Sequence, residues 1–137
     1  MIIRVLGRDD GHVLERVAAE VFDNDIEPTL TAEFLGDPRH HLAVAIEDGV
    51  VVGMASAIHY VHPDKPAEMF VNEVGVAPEY QRRGIGRQLM HALFERARDL
   101  GCGEAWVSTE ETNTAARRLY ASVGGIERAI VLVGFPL

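Results

Sequence analysis

Apolar residues recur along this chain in two periods, at alternate positions and at every third or fourth, and the switches between them mark its elements. Ile2 to Leu6 reads as a short strand. Asp9 or Asp10 then caps a helix whose Leu14, Val17, Ala18 and Val21 face a core. The polar run Asp23-Asn24-Asp25-Ile26-Glu27-Pro28 breaks it, and Thr29 to Leu35 forms a short second helix stopped by Gly36-Asp37-Pro38. His41 to Glu47 and Val50 to Tyr60 are strands joined by Asp48-Gly49, a dipeptide that tolerates positive φ at both positions of a tight turn. After the turn at 62–66 comes a strand from Glu68 to Val76. The helix from Gly84 to Leu100 carries Ile85, Leu89, Leu93 and Ala97 at every fourth position, with Gly101 past its end. Glu104 to Thr109 is a strand, and Asn113 to Val123 a helix with Ala116, Leu119 and Val123 inward. Ala129 to Phe135 is an apolar run of the kind that forms a strand covered on both faces. This order demands a mixed sheet, with parallel pairing across the helix at 84–101.

Composition narrows the class. A length of 137 residues fits one domain spanning 1–137, and 47% apolar with 25% charged residues is the balance of a soluble globular protein. No run of about 18 apolar residues is present, which excludes a membrane span, and the N-terminus lacks the layout of a signal peptide. The single cysteine, Cys102, has no partner for an internal disulfide, which points to the cytoplasm, and it reads as a small apolar residue rather than a nucleophile. No metal is expected. The net charge of −8 is unevenly placed: residues 9 to 37 hold nine acids against Arg16, whereas residues 82 to 98 hold five arginines against Glu95. An acidic face beside a basic turn argues against nucleic acid and for one cationic and one anionic ligand.

The anionic ligand has an evident place. In the stretch from Val71 to Arg87 an apolar strand exits through Ala77-Pro78 into a glycine-punctuated turn that opens the long helix near Gly84. The first amides of a helix have no internal partner and point outward at the positive end of the helix dipole. Gly84 and Gly86 remove side chains where a phosphate approaches the backbone, and Arg82, Arg83 and Arg87 add charge, so the turn suits a pyrophosphate. Further on, Asn113 and Tyr120 lie almost two helical turns apart and share a face. The asparagine can bond an amide-rich ligand and the tyrosine can donate a proton.

Gln81-Arg82-Arg83-Gly84-Ile85-Gly86 after a strand, followed by Asn113, Ala116, Leu119-Tyr120 and Gly124, resembles the GNAT superfamily of acetyl-CoA-dependent N-acetyltransferases. The resemblance covers the element order of nearly the whole chain. It implies an α/β (α+β) fold: a mixed, largely antiparallel sheet with parallel central strands splayed around an acyl-CoA cleft, and helices on both faces. It further implies that backbone groups of Val74 and Val76 hold the acetyl thioester and pantetheine. The turn of Gln81, Arg82, Arg83, Gly84, Ile85, Gly86 and Arg87 would bind the pyrophosphate, and Asn113 the pantetheine. Tyr120 would protonate the departing thiolate. Two departures are Gly125, where the family usually has an aromatic residue, and a single strand after the last helix, where two are common.

Within the family the short chain and the Asn72-Glu73-Val74-Gly75-Val76 strand look most like aminoglycoside 3-N-acetyltransferases. A polycationic sugar also fits the acidic segment at 9 to 37. Acetylation of a peptide, protein or small amine, or a non-catalytic CoA-binding sensor, are the alternatives. Acyl transfer needs an uncharged amine and hence a base. Glu73 is the expected base, as the only acid inside an apolar strand beside the cleft, where burial would favour its neutral form. His59 and His62 are reserves. Asp25, Glu27, Glu73, Glu110 and Glu111 are expected to bind the ammonium groups of the substrate. Because Ala129 to Phe135 is too apolar for a free edge strand, a homodimer is expected.

Overall fold

In the computed structural model, which describes residues 1–137, five strands make one sheet in the order β1-β2-β3-β4-β5. They are β1 (Ile2–Val5), β2 (His40–Glu47), β3 (Val50–Tyr60), β4 (Glu68–Val76) and β5 (Glu104–Val107). Pairing is antiparallel except between β4 and β5, which are parallel and joined over the sheet by α2 (Ile85–Asp99). The hairpin turn falls where expected, with Asp48 and Gly49 both in the left-handed region at φ 50° and 75°. The remaining helices are α1 (Pro28–Gly36) and α3 (Thr114–Ser122).

Each sheet face carries its own apolar cluster. On one face Ile85, Leu89, Leu93 and Ala97 of α2 pack on Ala43, Ala55, Ala57, Met69 and Val71. The alanines keep the sheet surface low, so the helix lies close and Leu89 and Leu93 are wholly buried. The opposite face is covered only in part, by α1 and the segment before it, through Leu14, Val21 and Leu35 on Leu42, Val44 and Met54. Helices on both faces of a mixed sheet match the expected fold.

Two expected elements do not form. The helix predicted after Asp9 or Asp10 is only a short 3₁₀ turn, Gly11–Glu15. Its continuation pairs with β3 instead: Ala18 donates to the Val51 carbonyl and Val51 to that of Arg16, both at 2.9 Å. Those sheet bonds replace helical ones, so Val17, Ala18 and Val21 reach the core from extended backbone. Asp10, a candidate cap, accepts instead from the Gly7 amide and pairs with Arg4. The predicted strand Ala129 to Phe135 pairs with nothing and is exposed throughout. The sheet ends at β5, and the segment is held only at its root, by Arg128 to Glu104 and Arg117 to Glu127. β5 also stops at Val107, two residues early, because there it leaves β4.

Candidate active site

The parting of β4 from β5 makes the cleft. The two strands pair only from Glu68–Val71 against Glu104–Val107. Just beyond, Ser56 faces Glu73 while Ala57 faces Val71, so Asn72 is an extra residue and β4 carries a bulge. A bulge bends and twists its strand, and the pairing of β4 with β5 ends at Val71, immediately before it. Ala77 donates to the Val52 carbonyl at 2.8 Å. Since alternate residues point their polar groups to opposite sides, Val76 and Val74 turn theirs from β3 towards the gap. The Val76 carbonyl accepts from the Gln81 side-chain amide at 3.0 Å, which ties the following loop to the strand. Gln81 is thus engaged with the protein rather than aimed at a ligand.

That loop makes a 3₁₀ turn at Pro78–Tyr80 and passes through left-handed residues Arg82 (φ 63°) and Gly84 (φ 77°) into α2. The first helical bond runs from the Gln88 amide to the Gly84 carbonyl, leaving the amides of Ile85, Gly86 and Arg87 without a helical partner. No side chain caps them. Arg83 lies over the Tyr80 ring at 5.0 Å, and Arg82, Arg83 and Arg87 are exposed and form no ion pair. Free amides, a helix start and three unpaired guanidinium groups fit a pyrophosphate. The two glycines differ in purpose. The space beside Gly84 is open, but a Cβ at Gly86 would meet Leu119 at 3.1 Å. Gly86 therefore serves the close contact between α2 and α3, a purpose the sequence reading did not assign to it.

The helix α3 brings the other half. The Asn113 side-chain oxygen accepts from the Ala116 amide at 3.1 Å, so it caps α3 and leaves its side-chain NH2 without a protein partner. Tyr120 is half-buried and packs against the same core as Val74, Val76 and Val107. Burial raises its phenol above the ordinary value, which keeps the hydroxyl protonated.

Glu73 is exposed at the bulge, so the expected burial of its carboxylate is overturned. Its face is nevertheless informative. A Cβ on Gly75 would collide with the Val21 carbonyl, and Glu73, two residues earlier, points to the same side of the sheet. That side bears the acidic segment, where Asp9, Glu15, Glu20, Asp23 and Asp25 line a cavity of about 710 Å³ with Arg8. Glu27 does not line it, Asp10 is paired with Arg4, and Asp37 is held by Arg39, which keeps its carboxyl far below the usual range. Glu110 and Glu111 are exposed between β5 and α3, outside the cavity. The reserve bases fail. His59 is bonded to buried His41 at 2.8 Å on the α2 face, and His62 faces Glu68 at 3.4 Å. Burial first, then neighbouring His59, Arg96 and His40, lower His41 to about 4. Burial likewise raises the Cys102 thiol, against a nucleophilic role. No three His, Cys, Asp or Glu side chains cluster as a metal site. Sequence reading passed over Phe70 and Trp106, register partners across β4 and β5 whose ring centroids lie 4.3 Å apart with the planes tilted by 35°; their signal was one aromatic in each strand flanking the cleft.

Residues 9–124 match the acetyltransferase (GNAT) family. The chain belongs to that family. N-alpha-acetyltransferase RimI of Mycobacterium tuberculosis is 36% identical over 125 residues, covering 89% of this chain and 76% of that protein. Aminoglycoside N(6')-acetyltransferase type 1 of Salmonella typhimurium is 31% identical over 90 residues, 61% of this chain and 62% of that one. In fold the GNAT chain matches the structure of AAC(6')-Iy in complex with the bisubstrate analog CoA-S-monomethyl-acetylneamine. The TM-score is 0.82 at 22% identity, over 99% of this chain and 97% of that one. The GNAT enzyme is thus an N-acetyltransferase that uses acetyl-CoA.

Proposed function

We propose that this acetyltransferase acts on a primary amine of a small polycationic substrate, an aminoglycoside being the class it fits. The observation that carries the reading is that Glu73 and the acidic cavity share one sheet face, apart from the arginine-rich turn. The amides of Ile85 to Arg87, with Arg82, Arg83 and Arg87, hold the pyrophosphate; Val74, Val76 and the Asn113 amide hold the pantetheine and acetyl group. Bound acetyl-CoA supplies the activated acetyl group. Glu73, directly or through a water, takes the proton of the incoming ammonium so that nitrogen has a free lone pair. The protonated Tyr120 hydroxyl donates to the sulfur as the thiolate leaves. Asp25, Glu110 and Glu111 attract the remaining ammonium groups. A homodimer working in the cytoplasm, with no nucleic-acid partner, completes the proposal.

A second reading, acetylation of a peptide N-terminus, is favoured by the long match to RimI. A CoA-release screen over aminoglycosides, polyamines, amino acids and basic peptides separates the two: aminoglycoside turnover is expected, and turnover of peptides alone overturns the first. Mapping the acetylated nitrogen of the product distinguishes the 3-N position expected from the sequence from the 6' position in the relative's name.

A further inference from the structure

The sheet face that carries Glu73 is covered only at one end. A row of register partners crosses it from His40 on β2 through Ile58 on β3 and Phe70 on β4 to Trp106 on β5. At the β2 end Phe34 of α1 stacks on His40 at 4.9 Å and 19°. Beyond that no helix follows: Ile58, Phe70 and Trp106 belong to neither apolar cluster, and Trp106 is 39% exposed. Their neighbours in sequence fix the side. Met69 and Val71, like Ala105 and Val107, face α2, so Phe70 and Trp106 face the other way.

The row has polar borders. Ser56 and Glu73 stand in the next row, towards the cleft, and Tyr60 with Glu68 in the row behind. Glu104 is taken by Arg128 and Glu68 faces His62, whereas Glu73 has no partner. An apolar strip ending in a free carboxylate accepts a ligand with ring faces and positive charge. Tryptophan is the best aromatic partner for a cation above its face, and its ring also covers apolar ligand surface. Phe70 and Glu73 are three residues apart in the strand, about 10 Å, a span of roughly two linked sugar rings.

We infer that Ile58, Phe70 and Trp106 form the platform on which the acceptor lies, a polycationic amino sugar stacking a ring on Trp106 while its reacting amine reaches Glu73. This rests on the substrate class proposed above and adds the residues that select it. Charge complementarity favours that occupant: the free acids on this face, Glu73 together with those of the cavity, call for a cation rather than for another apolar surface.

Trp106 is the only tryptophan of the chain, so its emission reports the platform directly. The intact protein saturated with CoA is titrated with neamine, with spermine as a polycation lacking rings. Neamine should shift the emission with a midpoint near its KM, and spermine should not. In steady-state assays Trp106→Leu should raise the KM for neamine about tenfold, while the KM for acetyl-CoA stays within about twofold, and Trp106→Phe should recover most of the loss. Neamine turnover with unchanged KM in Trp106→Leu and a silent wild-type emission overturns the platform and leaves the substrate class standing. Acetylation of peptides alone overturns both. An emission that follows protein concentration and ignores neamine shows the strip covered by a second copy, which also overturns the platform.

Discussion

In the reaction we propose, Glu73 and Tyr120 divide the proton traffic, and their surroundings set what each substitution should do. Glu73 stands exposed at a bulge beside an acidic cavity. Glu73→Gln keeps the shape and removes the base. Calorimetry should show CoA affinity unchanged, while turnover near neutral pH falls by about 10²-fold or more. The deficit should shrink as pH rises and the amine loses its proton unaided; wild-type turnover by this variant at neutral pH would exclude Glu73 as the base. Tyr120→Phe removes the acid and should slow acetyl transfer by about 10²-fold. A second, separable effect follows from its buried phenol, which ionises above its ordinary value. The stability this represents is whole below about pH 10, where the unfolded phenol is still neutral, and is lost as pH rises through the folded value. Thermal unfolding of wild type should therefore weaken more steeply than that of Tyr120→Phe as the solution becomes strongly alkaline. Parallel alkaline curves would mean the phenol is not desolvated.

At the scale of elements, what the sequence made legible depended on whether a partner lay close by. The hairpin at Asp48-Gly49, β4 with its glycine turn and α2 were readable because their signals are local: left-handed turn residues, a four-residue apolar repeat and glycines at both helix ends. The segment after Asp10 carries a helical repeat in Leu14, Val17, Ala18 and Val21, yet it forms sheet bonds with Val51, a partner thirty-odd residues away that periodicity cannot see. The bulge at Asn72 was equally invisible, and it stands beside the exposed Glu73 where the pairing of β4 with β5 ends. Gly86 shows the same limit: the motif marked it, but only the fold assigns it to Leu119. Gly86→Val should force α3 outward and destabilise the protein by about 1–3 kcal/mol, and raise the KM for acetyl-CoA by displacing Asn113 and Tyr120. Adding Leu119→Ala should recover part of both losses, because the two sites share one space. A double variant no better than the single one would place Gly86 in the phosphate turn alone.

The whole molecule has a free sheet edge and an exposed apolar segment that joins no sheet. β5 is unpaired on its outer side, and the segment beyond Arg128 forms no regular element and is exposed, with Ile130, Val131, Leu132, Val133 and Phe135 between 64% and 86% accessible. A long apolar strand left free is a template for pairing with another chain. Both deficits are met if each copy lays residues 129–135 along the β5 edge of the other. Five such side chains at roughly 100 Å² each, with backbone and neighbours added, approach the ~800 Å² per partner of a stable interface. The exchange would also buttress β5 and α3, which form one wall of the proposed cofactor cleft and bury no residue completely. Sedimentation at micromolar concentration should give a species of twice 15.0 kDa, 30.0 kDa. Val131→Lys with Val133→Lys places two charges on one face of the exchanged strand and should return the monomer. The monomer should then bind CoA more weakly, since the wall loses its support. A wild-type protein that sediments at 15.0 kDa across the micromolar range ends the case for exchange.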